Sequence, residues 1–309
     1  RRPTVLSYDH LIIALGSGSD LSRMPGLNEH AFTMKTLSDA RRLRAHVIER
    51  LEHADITRLP EVKKGALTFT VIGGGFSGIE TVGEIKELID RSLCYYPNIQ
   101  SSEIRVVVLE FADRILNEMS ESLAGYAQKN LIERGIEIQL GVGVAKCTGT
   151  QLVTTTNEII DTRTIVATIG NAPPSAVLKM PLAFQHGRIL VGRDFRVQGY
   201  QNIWSIGDCA LIPMKENASH RDDFAPPTAQ FAVREAKQIA SNIKAAVSDQ
   251  PLKAFKYISK GSLASLGAGR GVAEVFGIKL TGRAAWLLWR VYYISFLPGM
   301  QTRISVLWN

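Results

Sequence analysis

Short, nearly continuous apolar runs alternate along this chain with longer segments of helical periodicity. The runs at 8–17, 67–72, 104–110 and 164–170 have strand length and end in glycine or an acid, which predicts buried strands. Helix-favouring segments lie between them. The stretch 37–59 can cap at Thr36 or Ser38 and is limited by Pro60, with Arg41-Arg42-Leu43-Arg44 as a solvated face. Segments 77–93 and 121–134 follow, the second stopped by Gly135 ahead of a strand at 136–140. Threonine-rich residues 151–160 predict a hairpin. After Arg188 the pattern turns to short strands, as far as Ile203-Trp204-Ser205-Ile206. Pro226-Pro227-Thr228 then opens a helix in which Ala232, Ala236, Ile239, Ala240, Ile243 and Val247 share one face. Strands and helices alternating at these lengths predict an α/β fold, a parallel doubly wound sheet with a β insertion.

The stretch Thr70-Val71-Ile72-Gly73-Gly74-Gly75-Phe76-Ser77-Gly78-Ile79-Glu80 joins a predicted strand to a predicted helix. Gly73, Gly75 and Gly78 fill a G-x-G-x-x-G pattern. In a nucleotide site the first permits a tight turn, the second lets backbone approach a pyrophosphate, and the third lets helix pack on strand. The helix N-terminus adds unpaired N–H groups and a positive dipole end. The next strand ends in Glu110, an acid of the kind that takes ribose hydroxyls and disfavours a 2′-phosphate, so NADH is expected over NADPH. Glu110 lies further from Gly78 than the usual ~20 residues, so the segment around Cys94-Tyr95-Tyr96-Pro97-Asn98 must extend the helix or loop. A glycine turn with a structural role only is the alternative.

With 309 residues, 45% of them apolar, the chain can form about two domains with full cores. Its formal charge of +7 suits an anionic partner, whether nucleotide, acidic lipid or nucleic acid. Nucleic acid is set aside, because the basic residues are dispersed and no aromatic-basic reader motif occurs. Cys94, Cys147 and Cys209 never form C-x-x-C. That argues against a disulfide framework and a zinc site, so no metal is expected, and all three are expected as buried small hydrophobes. No run reaches the ~18 apolar residues of a transmembrane helix. The sequence opens on Arg1-Arg2-Pro3 without Met, in what reads as the middle of a domain, so an excerpt from a longer protein is expected.

Two further stretches carry chemistry. Ile206-Gly207-Asp208 makes a sharp turn that leaves a carboxylate at the C-terminal edge of a strand, the edge where open α/β sheets bind ligands. On its own a Gly-Asp pair is an ordinary turn. Residues 284–297 are apolar and aromatic, interrupted by Arg290 and accompanied by Lys279, Arg283 and Arg303. The run is too short to span a bilayer, but Trp, Tyr and snorkelling Arg suit the headgroup layer. Packing on the core or in a homodimer is the alternative.

Together these motifs resemble the flavoproteins with two dinucleotide sites, in which an NAD(P) domain is inserted within an FAD domain. Tyr8-Asp9-His10-Leu11-Ile12-Ile13-Ala14-Leu15-Gly16-Ser17 resembles the strand that hands over to the NAD domain, and Thr168-Ile169-Gly170-Asn171 the return crossing. More narrowly, the chain is similar to type II NADH:quinone oxidoreductases, the single-subunit, non-pumping NADH dehydrogenases. The matching pieces are the glycine turn through Glu80, Tyr96-Pro97-Asn98-Ile99, Leu109-Glu110-Phe111-Ala112-Asp113-Arg114, Pro226-Pro227-Thr228-Ala229-Gln230, and Ala285-Trp286-Leu287-Leu288-Trp289-Arg290.

The resemblance implies two Rossmann-like domains plus a C-terminal amphipathic region. Residues 1–35 would be a remnant of the FAD domain, 36–172 the NAD(H) domain, 173–247 the second part of the FAD domain, and 248–309 a membrane-surface or dimerisation region. It implies NADH at Gly73, Gly75, Gly78 and Glu110, and FAD at Ala14, Gly16, Gly170, Gly207, Asp208 and Ala229. Glu80 would lie near nicotinamide and quinone as a proton source, and Gln230 would contact the isoalloxazine or quinone head; the alternatives are a helix-dipole acid and an ordinary helix-end hydrogen bond. The expected activity is electron transfer from NADH through FAD to a membrane quinone, on the cytoplasmic face of the membrane. Two features depart from the family. No G-x-G-x-x-G for the FAD ADP moiety occurs in residues 1–66, so a segment of about 100 residues is expected ahead of them and weak FAD binding without it. The second glutamine of the family's quinone-site helix is Arg234 here. The rivals are a soluble flavoprotein reductase of a protein electron carrier, which the aromatic tail disfavours, and a nucleotide-binding protein without turnover.

Overall fold

The computed structural model describes residues 4–308, so Arg1-Arg2-Pro3 lies outside the described residues. The chain divides into two compact units. One comprises residues up to Asp20 and Gly170–Ser259; the other comprises Leu21–Ile169 and the residues from Lys260 onward. Most of the second unit is thus inserted within the sequence of the first. These limits differ from the expected 35, 172 and 247 for a packing reason. Leu21 and Leu27 are buried with Ile72, Val107 and Ile165, and Phe32–Thr33 is an edge strand of the inserted sheet.

The inserted unit is built on a five-stranded sheet. Its order is Phe32–Thr33, Thr164–Ala167, Thr68–Ile72, Arg105–Glu110, Ile136–Leu140, and every pairing is parallel. Thr68–Ile72 is buried at all five positions, as a central strand covered on both faces must be. The helices Leu37–Ile56, Phe76–Ser92 and Glu121–Glu133 bury Val47, Leu51, Ile79, Val82 and Leu131 in its core. The first is capped by Thr36 in a capping box with Asp39, and Arg41, Arg42 and Arg44 are exposed around buried Leu43. The threonine-rich segment is a hairpin, Gln151–Thr154 against Ile159–Asp161. Cys147 and Cys209 are buried, but Cys94 is exposed. It sits in the 3-10 turn Leu93–Tyr95, beyond the last buried position of its helix.

Residues from Lys260 contribute a second, three-stranded antiparallel sheet, Gly261–Gly267, Arg270–Val275 and Ile278–Thr281. Ala264, Leu266 and Val272 join the same core as Ile79 and Val82. Gly83 makes the contact possible, since a Cβ there would lie 2.5 Å from the Leu266 carbonyl oxygen. Helix Gly282–Phe296 covers this sheet and buries Ala285 and Ile294, while Leu287, Val291, Phe296 and Met300 stay exposed. No helix among the described residues is long and apolar enough to cross a membrane.

In the other unit Leu11–Ile13 pairs in parallel with Ile203–Ser205. Trp204, Phe195, Phe255 and Ile239 fill its core. Helix Ala229–Val247 buries Phe231, Glu235, Ile239 and Asn242. The expected alanine-rich face is therefore corrected: Ala236, Ala240 and Val247 are exposed. Asn242 faces inward because its amide side chain bonds the backbone of Asp194 and Lys253.

Candidate functional site

In the inserted unit the strand Thr68–Ile72 ends in Gly73, whose φ of +105° only glycine adopts readily. Its N–H bonds Leu109, and Thr168 closes the turn by donating its hydroxyl to the Ile72 carbonyl at 2.9 Å. A Cβ on Gly78 would lie 1.8 Å from the Gly73 oxygen, so helix and turn touch. Gly75 is the opposite case. It is exposed, and nothing lies within 4 Å of a Cβ built on it. It is also the N-cap of helix Phe76–Ser92, with no side chain capping the first N–H groups. A helix start without a side-chain cap, behind an open glycine, is the arrangement an anionic pyrophosphate needs.

Glu110 is half-buried and braces this turn. Its Oε2 accepts the Gly74 N–H at 2.5 Å and its Oε1 the Ala112 N–H at 2.7 Å. A carboxylate has about four acceptor positions, so two remain for hydroxyl donors. Glu80 is held by elements distant in sequence. Its Oε1 accepts the Trp289 indole N–H at 2.7 Å and the Ser265 backbone N–H at 3.1 Å. Burial pushes its carboxyl above the ordinary value, the two donors oppose that, and the Glu84 charge adds to it. The Tyr293 hydroxyl is pushed up by burial and then by Glu80.

The other unit gathers most of the residues expected at FAD. Pairing of Leu11–Ile13 with Ile203–Ser205 sets exposed Ala14 and half-buried Gly16 beside Gly207 and Asp208. Gly16 is left-handed at φ +66° with nothing near its Cβ position. Ser17 donates its hydroxyl to Asp208 Oδ2 at 2.9 Å. Gly207, at φ +72°, donates its N–H to Glu235 Oε2 at 2.8 Å. Glu235 is 2% exposed, and its carboxyl is pushed up to about 7, chiefly by burial and further by Asp208, against the Gly207 N–H and the Arg188 charge. Gly170 accepts the Asp20 N–H ahead of a short pairing between Asn171–Ala172 and Gly18–Ser19. Ala229 is exposed at the first helical position. Gln230 follows it, with its Oε1 accepting the Tyr257 hydroxyl at 2.5 Å.

Sequence reasoning missed Glu235, Thr168, Tyr257, Trp289 and Ser265. Thr168 was legible as the hydroxyl residue at a strand end; the others depend on contacts across long sequence separations. The residues present fit two dinucleotides in kind: one open glycine turn with a capless helix start, and one open left-handed glycine beside a tethered aspartate. Such a pair is what the resemblance to flavoproteins with two dinucleotide sites implies.

Comparison with known proteins narrows it. Residues 2–236 match the pyridine nucleotide-disulphide oxidoreductase family, and residues 259–309 match the NDH2 C-terminal domain. The type II NADH:quinone oxidoreductase Ndh of Mycobacterium tuberculosis is 32% identical, over 97% of this chain and 65% of that protein. The type II NADH:quinone oxidoreductase of Staphylococcus epidermidis is 30% identical, over 93% of this chain and 70% of that protein. NDH2 of Plasmodium falciparum, solved in complex with NADH, superposes with a TM-score of 0.87 at 20% identity, covering 98% of this chain and 77% of that one. The chain belongs to the type II NADH:quinone oxidoreductase family, and it spans about two thirds of the length of these curated relatives.

Proposed function

We propose that this chain, within its full-length protein, transfers electrons from NADH through FAD to a membrane quinone without pumping protons. The observation that carries the reading is the turn at Gly75, open to solvent ahead of a capless helix and braced by Glu110. FAD supplies the hydride-accepting and electron-passing chemistry when bound. The N–H groups after Gly75 hold the NADH pyrophosphate, and the spare acceptor positions of Glu110 take ribose hydroxyls and repel a 2′-phosphate. Asp208, fixed by Ser17, holds the FAD ribityl and pyrophosphate region, with Ala14, Gly16, Gly170, Gly207 and Ala229 around it.

The balanced reaction is NADH + H⁺ + quinone → NAD⁺ + quinol, so the site must deliver a proton beyond the hydride. Glu80 does so: burial keeps it protonated to higher pH than an exposed carboxyl, and Trp289 and Ser265 fix its Oε1. Gln230 orients the quinone head. The exposed side chains Leu287 and Val291, on one side of helix Gly282–Phe296, lie in the headgroup layer, on the cytoplasmic side where NADH is available.

The test is NADH oxidation by the full-length protein on vesicles, with and without a short-chain quinone, for the wild type and a Leu287→Gln/Val291→Gln variant. These outward side chains leave buried Ala285 and Ile294 in place. Vesicle binding lost with soluble-quinone turnover retained supports the membrane face. Unchanged vesicle binding refutes it, and a lipid-free dimer that the variant dissociates assigns the face to a second copy instead. Flavin reduction without quinone turnover refutes the acceptor.

A further inference from the structure

Arg234 lies one helical turn beyond Gln230, and the two are joined twice. The guanidinium donates from Nη1 to the Gln230 carbonyl oxygen at 3.0 Å. It also stacks over the Tyr257 ring, 4.8 Å from its centroid, and Tyr257 donates its hydroxyl to Gln230 Oε1. Tyr257 is held from another side by Phe231, edge-on at 5.0 Å. Gln230, Arg234, Phe231 and Tyr257 therefore form one clamp, and the cation is a fixed part of it.

What the clamp lacks is a counter-charge. Arg234 is half-buried, and among the described residues no carboxylate forms an ion pair with it. Its bonds are to a neutral carbonyl and an aromatic face. A partly desolvated guanidinium with no ion-pair partner favours an electron-rich or anionic oxygen nearby. We propose that Arg234 is a specificity-determining residue of the acceptor site, favouring quinones that carry a negative charge over neutral quinones of the same ring system. The inference rests on the reading of Gln230 as an acceptor contact.

The reaction stays balanced as above, with two electrons and two protons converting quinone to quinol and the acidic substituent keeping its charge throughout. Arg234 forms and breaks no bond; it binds and orients. An ion pair of this partly exposed kind is worth about fivefold in affinity, and its worth falls as salt rises.

The experiment compares 1,4-naphthoquinone-2-sulfonate with 2-methyl-1,4-naphthoquinone on the full-length holoenzyme, as wild type, Arg234→Gln and Arg234→Lys. Each acceptor serves as its own reference, so intrinsic reactivity cancels in the ratio. The ratio of kcat/KM values, sulfonate to methyl, should fall about fivefold in Arg234→Gln and recover in part in Arg234→Lys. The Kd of the sulfonate for the oxidised protein, measured by equilibrium dialysis, should rise by a similar factor at low salt and by less at high salt. An unchanged ratio with an unchanged Kd overturns the proposal. If the protein turns over neither quinone, the acceptor reading has failed, and the dialysis then decides separately whether Arg234 binds an anion at all.

Discussion

Replacing Glu235 by Gln should stabilise the protein at pH 8 and leave it nearly unchanged at pH 4. Glu235 is 2% exposed and bonds the Gly207 N–H. Asp208 repels its charge and Arg188 attracts it, while burial dominates both. From an ordinary value of 4.5, taken for the unfolded chain, the carboxyl moves to about 7 in the fold. The folded protein thus binds the proton more tightly than the unfolded chain. The contribution of Glu235 to stability is greatest below about 4.5, falls as pH rises towards 7, and levels off above it. At about 1.4 kcal/mol per pH unit, the ionised carboxylate costs roughly 3 kcal/mol at pH 8.

Glutamine keeps an acceptor for Gly207 and removes the charge. The variant should therefore melt roughly 5 °C or more above wild type at pH 8, with melting points that converge at pH 4. Circular dichroism melts of both proteins at the two pH values measure this, and the difference between variant and wild type cancels the titrating groups that do not interact with Glu235. A variant that melts lower than wild type by the same amount at both pH values would refute the reasoning. Its carboxylate would then be a stabilising hydrogen-bond acceptor rather than a strained charge.

Gly78→Ala places a Cβ against the Gly73 oxygen and should cost at least about 3 kcal/mol in urea unfolding, whereas Gly75→Ala should leave stability within about 1 kcal/mol and weaken NADH binding at least tenfold by calorimetry. Glu80→Gln should abolish the high-pH fall of kcat with a soluble quinone, and Trp289→Phe, which removes a donor that lowers the Glu80 value, should move that fall to higher pH. Glu110→Gln leaves an amide donor facing the Gly74 or Ala112 N–H; it should cost about 1–3 kcal/mol in stability and narrow the preference for NADH over NADPH.

What the sequence made legible was local. The strand, glycine turn and helix at 67–93 follow from residues within one supersecondary unit, each with its own geometric demand. The turn at Gly207-Asp208 gained meaning only with Tyr8–Ser17 beside it, and the parallel pairing of Leu11–Ile13 with Ile203–Ser205 shows why. Helix Ala229–Val247 misled because hydrophobicity stood in for burial. Its inward face carries Glu235 and Asn242, polar residues satisfied by Gly207, Asp194 and Lys253, which no periodicity reveals. The strands from 261 to 281 escaped notice as well, since Gly261, Gly267, Gly269 and Gly271 interrupt their apolar pattern.

The helix Phe76–Ser92 shows how one element serves chemistry and packing through the same residue types. Gly75 is bare with open space before it, where the proposed reading puts a pyrophosphate, and Gly83 is bare because Leu266 lies against it. Glu80 lies between them, and Trp289, 209 residues away in sequence, holds its carboxyl. The C-terminal helix is therefore two-faced in function. On the reading proposed above, its exposed side offers Leu287 and Val291 to the membrane, while Trp289 on the opposite side, with Ser265, offsets the burial that raises the Glu80 carboxyl. Removing the tail would change the membrane contact and the acid together, so loss of turnover on truncation would not separate the two roles. Substitution of the outward face alone does, because Trp289, Ser265 and the strand beneath them stay where they are.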